Sequence, residues 1–350
     1  MKWLAAVAAL MFACRGPESA PAAGSAAGSA QVELRGSAAG SAQVEVRGSA
    51  TGSAVDPWAV DPWAASGSAS GSRGAPTLME RHKLADAACP SVTGPYFFRI
   101  EKDGKTSYIL GTRHVSVSLA KLPQVVRDKI DAARLAVFEV APDDDSKVRR
   151  PDLDLESAVG STDWEHYVDL VGDDTAGLVE HSRPATALIQ MMVEYEDISA
   201  MLDIEIEHEI AGKHIPARGL EKSQFQDDLL DQLLDMRALK VQIEQTKDRK
   251  EIEADSHDDL AEYCAGTDEV PGTDEKNRKQ MLAGGYTAAE IDHMDDLLVF
   301  QRNARWIPQL EKLFANGDVF VAVGADHLIG DKGVVALLRK RGFTATRVTQ

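Results

Sequence analysis

From residue 96 onward the apolar positions change period several times, and each change marks an element. Residues 96–100 and 106–110 are β-rich runs around Asp103-Gly104, the pattern of a hairpin. Across 117–133, Leu122, Val125, Val126 and Ile130 recur at helical intervals and predict a crossover helix. Residues 135–140 open as a continuous apolar run, as an interior strand requires. Between 151 and 310 the pattern is mostly helical. Long apolar-periodic stretches cover 185–211 and 225–253, with a short strand between them at 215–220. Gly, Pro, Thr and Asp cluster in 264–276 and predict a loop. Helical spacing returns over 292–314, with a break expected at Pro308. The chain closes with a buried strand at 319–323, a helix at 333–341 ended by Gly342, and a strand at 343–348. Strands at both ends and helices between them predict an α/β (α+β) fold. It is a mixed β-sheet core with a large helical insertion, in one domain over 77–350.

The first 76 residues follow another pattern. Lys2 and the apolar run 3–13 have the form of a secretory signal, too short for a membrane span. Cys14 follows Met11-Phe12-Ala13, the place of a lipidated cysteine in a bacterial lipoprotein, so 1–14 reads as a lipoprotein-type signal. Met11 departs from the Leu or Val usual there; the competing reading is ordinary export with later cleavage. In 15–76, AAGSAQVELRGS (26–37) recurs as AAGSAQVEVRGS (38–49), and VDPWA (55–59) repeats at 60–64. So much Ala, Gly and Ser buries too little apolar area to offset its ordering entropy, which predicts a flexible tether.

Composition narrows the chemistry. The net charge of −18 disfavours nucleic acid and anionic lipid as partners, leaving the membrane to the lipid anchor alone. Three cysteines are too few for a disulfide scaffold. With Cys14 lipidated and the domain exported, Cys89 and Cys264 remain as a disulfide pair or as two buried thiols. H-E-x-x-H, G-x-S-x-G, the P-loop and G-x-G-x-x-G after a strand are all absent.

Two segments look alike: Y-I-L-G-T-R-H, with Gly111 and His114, and V-A-V-G-A-D-H, with Gly324 and His327. Each is an apolar strand followed by Gly, two residues and His. A Gly admits a sharp turn through positive φ, and the His then stands near the carboxyl end of a strand, where ligands collect in open sheets. Glu139 follows Ala136-Val137-Phe138 in the same way. Two imidazoles and a carboxylate are a common first-row metal set. The competing reading makes both His structural and Glu139 an ion-pair partner of a nearby Arg. Glu205 and His208, with Glu207 and Glu209 around them, read as a solvated helix face.

Together, YILGTRH, AVFEVAP, MLDIEIEHEIAGKHIPARGLEKSQFQ, RNARW and VFVAVGADHLIGDKGVVALLRKRGF resemble the TraB/PrgY/GumN family over 96–350. That family is similar to the Tiki metalloproteases and, more distantly, to the erythromycin esterase/ChaN-like superfamily. The resemblance implies an erythromycin esterase/ChaN-like fold and a divalent-metal site of His114, His327 and Glu139, with manganese or cobalt favoured and zinc as a further option. It also carries over Arg302 and Asn303 with Trp306 on a late helix, Glu221 with Gln226 five residues on, and Asp203 upstream. Arg113 stands where the family has an apolar residue, and Asp326 where it has Gly.

The resulting expectation is an exported, lipid-anchored metallopeptidase of the bacterial cell envelope, outer-membrane or periplasmic, acting on peptides or proteins. Glu139, Arg302, Asn303 and Glu221 are its expected catalytic residues, with Arg302 or Asn303 at the oxyanion. The alternative is a non-catalytic module that sequesters a peptide or small ligand; haem binding is a third reading. The anchor is directly testable. Cys14→Ser should move the protein from the membrane to the soluble fraction and abolish palmitate labelling. A soluble, unlabelled wild type would reduce Cys14 to a residue of the signal.

Overall fold

The computed structural model describes residues 74–144, 153–267 and 270–349. The signal, Cys14 and nearly all of the repeat segment lie outside the described residues. Six strands form one sheet in the order β4–β3–β5–β2–β1–β6: β1 (Phe97–Lys102), β2 (Lys105–Thr112), β3 (Leu135–Val140), β4 (Ala217–Glu221), β5 (Val319–Gly324) and β6 (Thr344–Arg347). The four strands β4, β3, β5 and β2 run parallel, and β1 and β6 are antiparallel additions at one side. β1 and β2 pair Lys102 with Lys105, so only Asp103 and Gly104 make the turn. Both have positive φ (50° and 73°), the combination a tight hairpin needs. β5 is buried along its whole length and β3 nearly so, as expected for parallel strands covered on both faces.

The described helices are α1 (Leu78–Ala88), α2 (Gln124–Asp131), α3 (Leu155–Val159), α4 (Ser161–Val171), α5 (Asp173–Val179), α6 (Pro184–Val193), α7 (Leu202–Gly212), α8 (Ser223–Leu233), α9 (Met236–Gln245), α10 (Arg249–Ala265), α11 (Glu275–Ala283), α12 (Ala288–Asp295), α13 (Gln301–Phe314) and α14 (Val334–Lys340). Two apolar clusters result. One joins both faces of the sheet to α2, α7, α13 and α14. The other lies wholly within the helical insertion, from Leu155 to Val299. Cys89, at the end of α1, is joined by a disulfide to Cys264 of α10, with Cα atoms 6.0 Å apart.

Several long helical stretches are subdivided, each for a local reason. The crossover begins only at Gln124: Leu122, before Pro123, is held extended (ψ 150°), and a 3₁₀ turn at Leu119–Lys121 precedes it. The stretch 185–211 splits because Asp197 folds back to accept from Ser199 N–H at 3.0 Å, an alternative to the helical bond. Stretch 225–253 becomes parts of three helices, two of them started by Asp235 and Asp248 as N-caps. Pro308, expected to break a helix, lies inside α13. It sits on the exposed face with Ala304, four residues earlier, so the carbonyl it leaves unbonded can face water. The irregularity comes upstream instead, as a π turn at Asp296–Phe300.

Neither Gly of the two elbows has positive φ; Ser116 carries it (67°). The strands need Gly there for close approach. A Cβ on Gly111 would lie 2.8 Å from Tyr96 Cβ and 2.9 Å from Ala325 Cα. Gly111→Ala should therefore cost about 1–3 kcal/mol in urea unfolding. Gly177→Ala, mid-helix in α5 with open space around it, should gain about 0.5–1 kcal/mol. Equal effects at the two positions would show that crowding at Gly111 is not what selects glycine.

Candidate functional site

Every residue that converges here leaves the carboxyl end of a parallel strand or a helix packed across it. His114 follows β2, Glu139 lies in β3, Glu221 ends β4 and His327 follows β5 in a short 3₁₀ turn. Gly324 is the point of convergence. A Cβ there would stand 3.3 Å from Glu139 Oε1, 3.6 Å from His114 Nε2 and 3.6 Å from His327 Cδ2. Glycine leaves that space to the polar atoms. Its N–H donates to Glu139 Oε1 at 2.8 Å.

Both imidazoles are held by Nδ1. Asp203 of α7 accepts from His114 Nδ1 at 2.7 Å through Oδ2, and from Thr112 Oγ1 at 2.7 Å through Oδ1. Asn303 of α13 accepts from His327 Nδ1 at 2.7 Å through Oδ1, while its Nδ2 donates to the Lys332 carbonyl at 3.1 Å. This second-sphere pattern fixes tautomers and turns Nε2 inward. For His327 the assignment is doubly determined, because Arg302 Nη1, an obligate donor, lies 3.2 Å from Nε2. The Trp306 ring tilts against His327 with centroids 4.4 Å apart.

Arg302 is the hub. Its Nη2 donates to Glu139 Oε2 and Glu221 Oε1, both at 2.5 Å. Nε donates to Glu221 Oε1 at 2.9 Å. Nη1 reaches the Leu298 carbonyl at 2.9 Å as well as His327. A guanidinium has five N–H groups, and all five are engaged. Gln226 Nε2 bridges Glu139 and Glu221 at 3.2 and 2.7 Å, and Trp306 Nε1 donates to Glu221 Oε2 at 3.2 Å. Arg302, Glu139, His327 and Asn303 are all buried.

Electrostatics follows from burial and this guanidinium. Burial opposes the Glu139 charge, but the facing imidazole and guanidinium outweigh it and hold the carboxyl at about 2. Burial, with Arg302 and His114 nearby, holds His327 down at about 3 despite the pull of Glu139. His327 is therefore neutral at neutral pH, and the standing counter-charge of Glu139 is Arg302.

The geometry brings together His114, Glu139, His327, Arg302, Asn303, Glu221, Gln226, Asp203 and Trp306. It also changes two readings. With all five N–H groups engaged, Arg302 has none left for an oxyanion, and the Asn303 amide is committed on both sides; both position other groups. Glu205 is not a solvated residue: its Oε2 accepts from Leu119 N–H at 2.7 Å. Among the described residues no three His, Cys, Asp or Glu stand at metal-holding separation. The donor types suit a metal, since two imidazoles turn Nε2 toward a carboxylate whose Oε1 is on their side, but Arg302 Nη1 occupies His327 Nε2 and would have to yield it to an ion.

Sequence reasoning missed a buried acidic network beside His114. Glu196 accepts from Arg113 Nη2 at 2.6 Å, Ser116 Oγ at 2.5 Å and Ser256 Oγ at 2.8 Å. Glu194 takes Arg81 at 2.7 Å, and Asp197 takes His82 at 2.7 Å, docking α1. Three acids within the apolar context of 191–202 were the signal. Glu207, one turn from Asp203, is pushed up to about 7 by burial and by the Asp203 charge.

Glu139 and His327 both weaken the fold toward acid. Glu139 drops from an ordinary 4.5, so its contribution to stability is present above pH 4.5 and lost as pH falls toward 2. His327 drops from 6.5; the unfolded chain takes its proton first, and stability is lost as pH falls from 6.5 toward 3. Glu207, raised from 4.5 to about 7, pulls the other way as pH falls, so the readout is a difference: in chelator, His327→Gln should lose less stability than wild type between pH 6.5 and 4.5. Equal slopes would place the His327 proton elsewhere.

No curated protein and no solved structure matches the chain. The TraB/PrgY/gumN family model matches residues 96–347, which takes in β1 through β6 and every residue of the site. The chain belongs to the TraB/PrgY/gumN family.

Proposed function

We propose that this chain is an exported, lipid-anchored hydrolase that depends on a divalent metal and acts on peptides or proteins. The observation that carries the reading is the convergence on Gly324 of His114 Nε2, the His327 ring and Glu139 Oε1, with each imidazole held through Nδ1. His114, His327 and Glu139 would hold the ion, with manganese or cobalt favoured and zinc a further option. When bound there, a divalent cation supplies Lewis-acid polarisation and makes water acidic enough to attack near neutral pH.

The chain's own residues do the rest. Asp203 and Asn303 keep both imidazoles in the donor-atom-inward tautomer. Arg302 and Gln226 hold Glu139 through Oε2 and leave Oε1 on the histidine side. Arg302 keeps Glu139 ionised, so it can orient or accept a proton at Oε1. Glu221, between Arg302, Gln226 and Trp306, fixes the guanidinium. Thus Glu139 is the one carboxylate of the pair turned to the histidines, and Glu221 serves as its support.

The test is peptide hydrolysis with metal content measured on the same samples. Chelator should abolish activity, and Mn²⁺ or Co²⁺ should restore it. Because the three candidate ligands act as a unit, His114→Ala, Glu139→Ala and His327→Ala should each fall to background. The double variant His114→Ala/His327→Ala should be no worse than either single. A protein that binds peptide in chelator and releases it intact would instead be a sequestering module.

A further inference from the structure

The turn that carries His114 is strained two residues later. Ser116 has φ 67°, a conformation that crowds Cβ against the following carbonyl oxygen and that Gly, Asn and Asp enter far more readily than Ser. Such a conformation persists only where the surroundings over-determine it. Here they do. Ser116 is 1% exposed. Its N–H donates to the Asp197 carbonyl at 3.0 Å. Its Oγ accepts from Asp197 N–H at 2.7 Å and donates to Glu196 Oε2 at 2.5 Å. All three bonds run to one pair of residues between α6 and α7.

Glycine would take that φ without steric cost, so the hydroxyl is what the position requires. Glu196 holds the same loop at a second point, where Arg113 Nη2 donates to its Oε1 at 2.6 Å. His114 thus lies between two residues tied to one buried carboxylate. Its ring is met from the other side by Asp203, which accepts from Nδ1 at 2.7 Å. A bond of that length and direction tolerates little movement of the ring, so the backbone beneath it has to be fixed. Ser256 of α10 also donates to Glu196, at 2.8 Å, but it is no part of the loop that carries His114.

We propose that Ser116 is a positioning residue for His114. Through Glu196 and Asp197 its hydroxyl holds the strained turn, and the turn sets the imidazole where Asp203 can take Nδ1–H and Nε2 faces Glu139. How the ring is held is independent of any ion; what it is held for rests on the metal site proposed above.

The test follows the His114 Nδ1–H proton by NMR in the full-length chain, nitrogen-labelled at histidine, in chelator at neutral pH. His114→Gln identifies the signal by removing it. In the wild type that proton should exchange slowly with water. Ser116→Ala should speed the exchange at least about tenfold, and Ser116→Gly should do the same. Gly, free of the strain, should nevertheless melt at or above Ser116→Ala. Ser256→Ala removes a hydroxyl from the same carboxylate outside the loop, so it should lower the thermal midpoint and leave the exchange unchanged. A hydroxyl that only stabilises the fold would behave alike at both positions. Co²⁺ titrated into the same proteins should bind about 10–100-fold more weakly where Ser116 is lost, and as in wild type where Ser256 is lost. Exchange as slow in Ser116→Gly as in wild type, or as fast in Ser256→Ala as in Ser116→Ala, would overturn the assignment. A wild type that takes up no Co²⁺ would instead remove the metal reading and leave the proton to decide the role of Ser116.

Discussion

One buried guanidinium organises the carboxyl edge of this sheet. Arg302 binds Glu139 from β3, Glu221 from β4, the imidazole that follows β5 and a carbonyl of the π turn. Taking such charges out of water is expensive, and only dense pairing with full use of the donors offsets it. Here all five N–H groups are used, and Gln226 and Trp306 supply further donors to the two carboxylates. The arrangement trades stability for position: an apolar substitute of equal volume would pack as well, but could not fix which oxygen of Glu139 faces the histidines.

Glycine makes the rest possible. Gly111 lets β2 pass Tyr96 and Ala325 at backbone distance, and Gly324 leaves the space that the polar atoms share. The twin elbows are therefore devices of close packing. The helices then orient what the strands present, α7 through Asp203 and α13 through Asn303. Family membership and fold describe the scaffold; the chemistry proposed for it rests on these few atoms.

Strand existence was legible because buried parallel strands read as apolar runs, and 135–140 and 319–323 stand out for that reason. The histidines and Glu139 were legible as polar residues at the ends of such runs. Helix boundaries were not, because the breaks come from single side chains: Asp235 and Asp248 as caps, Asp197 folding back on Ser199, Leu122 extended before Pro123. The part played by Arg302 was legible by half: Glu139 stood beside Asp295 and Asp296 as a possible ion-pair partner and is one, while Glu221, on β4, was not foreseen as the second. The network of Glu194, Glu196 and Asp197 was hidden because acids in a helical stretch ordinarily face water, and it is the docking of α1, α5, α10 and the 113–116 loop that brings them cations and hydroxyls.

Arg302 is the counter-charge on which Glu139 and Glu221 depend. Urea unfolding of Arg302→Met, in chelator at neutral pH, tests it against the combined variant Arg302→Met/Glu139→Gln/Glu221→Gln. The single variant should lose about 3–5 kcal/mol, because two carboxylates are left without their cation. Most of that loss should return in the combined variant, where nothing charged remains to be satisfied. A single variant as stable as wild type, or a combined variant less stable than the single one, would contradict it.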